Sequence, residues 1–310
     1  MTPFSLFACS LAIPCEAMSE REPDSLHRFL FEDFPLRGEL VRLDATWREV
    51  LARYDYPPAV RGVLGETLAA AALLAATIKF SGHLTIQLHG DGALSLLVVQ
   101  CDSELHLRGL ARWEGEGEQS AEKLLGEGRL VITIEPDDGG ERYQGIVPAA
   151  GGSIAAIIGE YFERSEQLST RLWLAAGAHS VAGLLLQRLP GDSEDADAWN
   201  RTGQLAGTVT TEELRELPAE QLLQRLFHEE TVRLFESHPV SFHCGCSRER
   251  IESVIQGLGV DEARTILQEQ GAIRVACEFC NRRYQLDAVD VAALFATPVA
   301  VPSGNSSAQH

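Results

Sequence analysis

The chain has 310 residues, enough for one large domain or for two or three small ones. Hydrophobic residues make up 45% of it and charged residues 23%, which is typical of soluble globular proteins and excludes collagen-like, coiled-coil and broadly disordered chains. The 26 basic and 45 acidic residues give a net charge of −19, which argues against nucleic acid and anionic membranes as partners because both bind basic surfaces.

The first seventeen residues are set apart from the rest of the chain. They contain an apolar run from Phe4 to Cys15, but no Lys or Arg precedes it, so the positive region of a signal peptide is missing. Two interpretations stay open: a targeting segment, or an extension upstream of a true start at Met18. We favour the second and expect residues 1–17 to be a non-native or disordered extension.

Residues 18–189 are expected to form a core domain of helices and antiparallel strands. After the chain breaker Pro57-Pro58, the Ala-rich stretch Val63–Phe80 predicts a long helix. This stretch carries Glu66 and Lys79, and charges inside a short membrane span are costly. A helix buried in the protein is therefore the better interpretation.

The segment after this helix alternates apolar and polar residues, as half-buried strands do. Two turn sequences, Gly90-Asp91-Gly92 and Asp137-Asp138-Gly139-Gly140, predict hairpins between such strands. The predicted strands and the helix that follows them are Leu84–Leu88, Leu94–Val99, Leu105–Leu107, Leu130–Ile134, Tyr143–Val147 and the helix Ile154–Phe162. Hairpin strands grouped between helices predict an α+β fold rather than alternating βαβ units.

Residues 190–240 have a different character and predict an acidic helical linker. They carry 11 acidic and 4 basic residues. Thr210 and Glu213 form a capping-box pattern that begins one helix, and Pro218 begins a second. Short, acidic, amphipathic helices are marginally stable unless they pack on a neighbour, so we expect a metastable linker. An ordinary helical connector would show the same periodicity and stays open as the alternative.

Four of the seven cysteines are paired closely near the C-terminus, as Cys244-Gly245-Cys246 and Cys277-Glu278-Phe279-Cys280. Two close pairs of thiolates suit one tetrahedral zinc ion per chain. Alternating apolar residues flank the second pair and predict a strand–knuckle–strand unit like a zinc ribbon. We therefore expect a small zinc-binding domain over 241–295, followed by a disordered tail over 296–310. Cys9, Cys15 and Cys101 are isolated and carry no assignment.

The cysteine count also bears on location and chemistry. An odd total with such clustering does not suit a secreted disulfide framework, so a cytoplasmic metal or redox site is the better interpretation. The plainest possibility is a purely structural zinc site. A thiol-disulfide oxidoreductase is disfavoured because Cys277 does not open a helix and Glu278 opposes a thiolate. The net charge disfavours a nucleic-acid-binding zinc ribbon.

Three physical points support a redox-regulated site as an alternative to the purely structural one, which stays open. A unit of about 50 residues is too small for a self-sufficient core, so losing the metal should unfold it. Zinc requires deprotonated sulfur, and the thiolate is the form that peroxide and hypochlorite attack. Each cysteine pair is also close enough in sequence to form a disulfide. Of the nearby histidines, His243 is expected to be a neighbour of the site and His228 to lie on a solvated helix face.

Six longer segments between about Leu26 and Val291 are distinctive. They are LHRFLFEDFPLRGELV (26–41), GERYQGIV (140–147), YFERSEQLSTRL (161–172), LFHEE (226–230), CGCSRER (244–250) and CEFCNRRY (277–284). Through these segments the chain resembles the 33 kDa chaperonin family, the redox-regulated heat-shock holdases of bacteria. Ser169 departs from the resemblance at a position where Pro is expected.

The resemblance implies a chaperone that is not an enzyme. The reduced, zinc-bound form would be an inactive monomer. Oxidation would convert the ligands into the disulfides Cys244–Cys246 and Cys277–Cys280, release zinc and disorder the linker. The oxidised homodimer would then hold unfolding client proteins without ATP, until reduction passes them to ATP-dependent refolding chaperones. As a hypothesis, four apolar linker residues contribute client contacts: Leu222, Leu223, Leu226 and Phe227.

Overall fold

The computed structural model describes residues 24–78, 80–115, 124–149, 152–191 and 194–296. The expected N-terminal extension over 1–17 lies outside the described residues, as does the expected tail from residue 297 onward.

Strands and helices alternate in groups along the described chain. The strands are β1 (Ser25–Phe31), β2 (Leu36–Leu43), β3 (Gly82–His89), β4 (Leu94–Asp102), β5 (His106–Trp113), β6 (Arg129–Pro136), β7 (Tyr143–Pro148), β8 (Thr170–Ala176), β9 (Val181–Arg188), β10 (Val232–Leu234), β11 (His238–Pro239), β12 (Ser241–Phe242), β13 (Ile273–Ala276) and β14 (Arg283–Leu286). The helices are α1 (Ala45–Leu51), α2 (Pro58–Thr77), α3 (Ile154–Tyr161), α4 (Ala198–Ala206), α5 (Thr211–Glu216), α6 (Ala219–Phe227), α7 (Arg248–Leu258), α8 (Val260–Gln270) and α9 (Ala288–Ala296). A π-helical turn, Phe162–Glu166, continues α3.

Two sheets form the core, and the predicted α+β class is confirmed. The first has the order β10-β1-β2-β9-β8, with β11 pairing with β1 as well. The second has the order β12-β5-β4-β3-β6-β7. Neighbouring strands in both are antiparallel except for β12, which runs parallel to β5. Both predicted hairpin turns are confirmed, between β3 and β4 and between β6 and β7.

The Ala-rich helix α2 lies between the two sheets and contacts strands of both. It begins at Pro58 rather than at the predicted Val63. Proline is tolerated at the first helical position because the N–H group that it lacks would have no hydrogen-bond partner within the helix. It is long and apolar enough to cross a membrane, but 78% of its most apolar window is buried inside the protein. The small side chains of Ala69–Ala72, Ala75 and Ala76 let strands approach it closely from two sides.

The linker helices α4, α5 and α6 cover the outer face of the first sheet. They share one apolar cluster with β1, β2 and β9, separate from the cluster around α2. The predicted capping box is confirmed: Thr210 Oγ1 accepts from Glu213 N–H (3.1 Å) and Glu213 Oε2 accepts from Thr210 N–H (2.9 Å). After Phe227 the linker is no longer helical. It returns along the core as the short strands β10 and β11, because the free edge of β1 offers backbone partners.

Helices α7, α8 and α9 and the hairpin β13–β14 form the C-terminal unit. Its apolar core is small, with five buried hydrophobic residues: Ile255, Ala263, Ile273, Leu286 and Val291. Such a core contributes little to stability on its own, as the sequence predicts for this segment.

Candidate metal centre and its contacts

The four cysteines of the two close pairs meet in one cluster. Their sulfur atoms all lie within 4.8 Å of one another, and each side chain is half-buried. Cys244 Sγ lies 3.6 Å from Cys277 Sγ, and Cys246 Sγ lies 3.3 Å from Cys280 Sγ. Four sulfurs about 2.3 Å from one tetrahedral ion would be about 3.8 Å apart, so the donor set fits a metal ion of this kind. Among the described residues, this is the one group of Cys, His, Asp and Glu side chains so arranged.

Each pair is positioned by the end of a regular element. Cys244 and Cys246 follow β12 and precede α7, whose N-cap residue Ser247 accepts a hydrogen bond from Arg250 N–H (3.3 Å). Cys277 and Cys280 lie in the turn between β13 and β14. There, the N–H of Asn281 donates to the carbonyl of Cys277 (2.7 Å). The strand–knuckle–strand arrangement that the sequence predicts is confirmed for this pair.

The thiols of Cys246 and Cys280 do not ionise alike. Burial opposes ionisation of Cys246, but hydrogen bonds from Tyr284 O–H (3.2 Å) and from the other thiols outweigh it and lower the pKa to about 7. Burial is the largest of the effects that raise the pKa of Cys280 to about 12. A bound cation would favour the thiolate at every position, because a coordinating thiol is deprotonated by the metal.

One cation reaches the cluster from the core. Arg108 Nη1 on β5 lies 3.7 Å from Cys244 Sγ, although 136 residues separate the two in sequence. This contact was not predicted from the sequence. Nothing in the local pattern of β5 distinguishes Arg108, so only the tertiary fold identifies it.

The histidines lie where the sequence predicts. His243 packs against His106, with ring centroids 5.1 Å apart, and is not part of the metal-ligand group. His228 is exposed at the end of α6, and the nearby Glu230 pairs with Arg201 instead (2.8 Å). Cys101, which the sequence leaves unassigned, is buried in β4, and burial raises the pKa of its thiol.

The four candidate client-contact residues lie on one face of α6 and are covered in this structure. Their exposed fractions are 0% for Leu222, 5% for Leu223, 2% for Leu226 and 2% for Phe227. The Phe227 ring packs against Phe31 (centroids 5.1 Å apart) and Phe29 (6.2 Å) on β1. Their role in client contact stays a prediction.

A short stretch of chain, residues 228–243, joins α6 to the cysteine cluster, runs along both sheets and is called the strap. Beyond the β10 and β11 pairings, the N–H of Val240 donates to Asp24 O (2.7 Å), that of Ser241 to Leu105 O (3.2 Å) and that of His243 to Leu107 O (3.0 Å). The strap therefore joins the cysteine cluster to α6, one of the three helices that cover the apolar outer face of the first sheet.

Comparison with known proteins gives a consistent result. A family model described as Hsp33 protein matches residues 24–287. A relative from Methylobacillus flagellatus, named 33 kDa chaperonin, is 49% identical over 286 residues, which cover 91% of this chain and 98% of the relative. One of the same name from Nitrosococcus oceani is 52% identical over 280 residues, covering 90% and 96%.

A solved structure is similar in fold. It is the crystal structure of the 33 kDa chaperonin from Thermotoga maritima, with a TM-score of 0.76 and 21% sequence identity. The match covers 88% of this chain and 98% of that one.

Proposed function

The chain belongs to the Hsp33 family, whose members are chaperones rather than enzymes, and we propose that it is a redox-regulated holdase switched by its four-cysteine cluster. The proposal divides the chain into a core domain (18–189), a metastable linker (190–240) and a switch domain (241–295). It places the protein in the cytoplasm.

In the reduced state, Cys244, Cys246, Cys277 and Cys280 hold one zinc ion per chain. When bound, zinc keeps the four sulfurs together as thiolates and stabilises the small C-terminal unit. The support for this is the all-sulfur donor set and the spacing of the four atoms. With the unit folded, the strap and α6 stay on the core, and the protein is an inactive monomer.

Oxidation joins Cys244 to Cys246 and Cys277 to Cys280. For each disulfide, two thiolates give up two electrons to one peroxide molecule, which takes two protons from the solvent and becomes two waters. The shortest sulfur contacts in the folded cluster run between the pairs rather than within them. Once the unit opens, however, residues two or three positions apart remain neighbours, because closing so short a loop costs little entropy.

The consequence of oxidation lies in the linker. Cysteines joined in disulfides would no longer hold a zinc ion, so the C-terminal unit, whose apolar core is small, would lose the support that the metal supplies. The strap and α6 are then free to leave the core. This exposes Leu222, Leu223, Leu226 and Phe227 together with the apolar face of the first sheet. Unfolding proteins bind there without ATP, the protein dimerises, and reduction passes the clients to ATP-dependent refolding chaperones.

One observation carries the proposal: a single short strap connects the cysteine cluster to the helix that covers a large apolar sheet face. Through this strap, metal binding at the cysteines would control whether the apolar face of the first sheet is exposed. A structural zinc site would need no such connection, and a thiol-disulfide oxidoreductase would need no covered apolar face.

Light scattering from a heat-unfolding client protein tests the proposal. One sample is zinc-loaded and reduced, and the other is pretreated with peroxide at mildly elevated temperature. Suppression of aggregation by the oxidised sample alone, at stoichiometric ratio, supports a redox-regulated holdase. Equal behaviour without suppression indicates a structural zinc protein, and catalytic turnover of a disulfide substrate indicates an oxidoreductase.

A further inference from the structure

The loop between the second pair of cysteines contacts the core directly. Tyr54, which follows α1, donates its O–H to the backbone carbonyl of Glu278 (2.9 Å). Arg112 on β5 forms an ion pair with the Glu278 carboxylate. The guanidinium of Arg108, also on β5, lies over the Phe279 ring, 4.3 Å from its centroid. Both residues between Cys277 and Cys280 are thus held by the core.

Arg108 connects this loop with the first cysteine pair. Its Nε donates to Gln100 Oε1 (2.8 Å), which fixes the guanidinium on the second sheet. From there it reaches the Phe279 ring and, through Nη1, Cys244 Sγ. The same strand β5 also pairs with β12 of the strap. One strand of the core therefore contacts the strap, the first cysteine pair and the loop of the second pair.

We propose that Arg108 and Arg112 are positioning residues that dock the Cys277–Cys280 loop on the core, so that a change in the cysteines directly loosens the strap. This inference rests on the proposed function for its regulatory meaning. Glu278 and Phe279 occupy these places while the four sulfurs are separate and lie within 4.8 Å of one another. In a disulfide the sulfurs are about 2.05 Å apart, which reshapes the loop that bears both docking residues.

The docking contacts are individually weak, as a reversible attachment requires. The Arg112 and Glu278 side chains are 56% and 60% exposed, so water screens their attraction. An arginine over an aromatic ring at the surface adds a contribution of similar size. Removing both should accelerate opening of the strap by about tenfold without removing any metal ligand.

Amide hydrogen exchange in the zinc-loaded, reduced protein tests the proposal. The probes are the Ser241 and His243 amides, which donate to β5 or to the residue just before it. The Arg108→Gln/Arg112→Gln double variant should exchange about tenfold faster than wild type at both probes, with one zinc per chain retained. Arg142→Gln is the matched control, since Arg142 pairs with Glu135 at similar exposures (58% and 50%) away from the cysteines.

A charge swap separates docking from general destabilisation. Arg112→Glu should accelerate exchange at both probes, and Arg112→Glu/Glu278→Arg should restore it towards the wild-type rate. Unchanged exchange in the double glutamine variant, or equal acceleration in the Arg142 control, would overturn the proposal. Failure of the holdase function would instead show as an inactive oxidised wild type in the light-scattering assay, which does not affect the exchange comparison.

Discussion

Truncation of one linker side chain should switch the protein on without an oxidant. Phe227 is 2% exposed and packs against the Phe29 and Phe31 rings, so Phe227→Ala removes a large side chain from the contact between α6 and the first sheet. Such a substitution costs about 3–5 kcal/mol. Because α6 lies on the core rather than within it, most of this cost falls on the docked linker. A shift of about 3 kcal/mol raises the undocked population more than a hundredfold.

The assay is client aggregation followed by light scattering, with zinc-loaded and reduced protein. Phe227→Ala should suppress aggregation at a temperature where the reduced wild type does not. The matched control is Leu73→Ala, which truncates a fully buried residue of α2 in the other apolar cluster. It should lower the thermal midpoint without activating the protein. A reduced Phe227→Ala protein that is inactive and keeps a wild-type response to oxidation would refute the reasoning.

Three further outcomes are expected. Removing zinc with a chelator under reducing conditions should make residues 248–286 sensitive to protease and leave α2 protected, because the C-terminal unit has a small core. If residues 248–286 stay resistant to protease, the metal is not the main support of this unit. Cys101 should remain a free thiol after peroxide treatment, because it is buried and its pKa is raised. Mass spectrometry of alkylated peptides checks this, and a disulfide at Cys101 would contradict it. Burial raises the pKa of Glu66 from 4.5 to about 7. The free energy of unfolding therefore falls as pH rises from 4.5 to about 7, because the folded protein must ionise a buried carboxyl. In urea unfolding, Glu66→Gln should be more stable than wild type, by a difference that grows from about pH 5 to pH 8.

The cysteine centre and the second sheet could be predicted from the sequence because their signals are local. The spacing of Cys244, Cys246, Cys277 and Cys280 indicates a four-sulfur cluster whatever the rest of the chain does. Turns that contain glycine join β3 to β4 and β6 to β7, and several of the strands in this sheet alternate in polarity. The segment Val63–Phe80 is apolar over nearly its whole length, so its helix could be predicted, although the helix begins earlier, at Pro58, and ends earlier, at Thr77.

The first sheet could not be predicted because its central strands lack alternation. Every residue of β9 except Arg188 is buried, since α2 covers one face of this sheet and the linker helices cover the other. A strand covered on both faces has no period of two, and its pattern does not distinguish it from a buried helix. The strands β10 to β12 are two or three residues long and exist only because the free edges of β1 and β5 pair with them.

The contacts that tie the cysteine centre to the core were beyond sequence reasoning for another reason. Arg108 and Cys244 are 136 positions apart, and Tyr54 and Glu278 are 224 positions apart. Neither pair forms a motif, and nothing in the local sequence of Arg108 or Tyr54 indicates a contact with the cysteine centre. Tertiary structure alone brings them together.

The most direct test of the central claim is amide hydrogen exchange of α6 before and after oxidation. In the zinc-loaded, reduced protein, the amides of residues 222–227 should be protected. After peroxide treatment, that protection should be lost while the amides of α2 stay protected, because the linker leaves the core without unfolding it. Unchanged protection of α6 in a protein whose four cysteines are fully oxidised would contradict the claim that the cysteine cluster controls the linker.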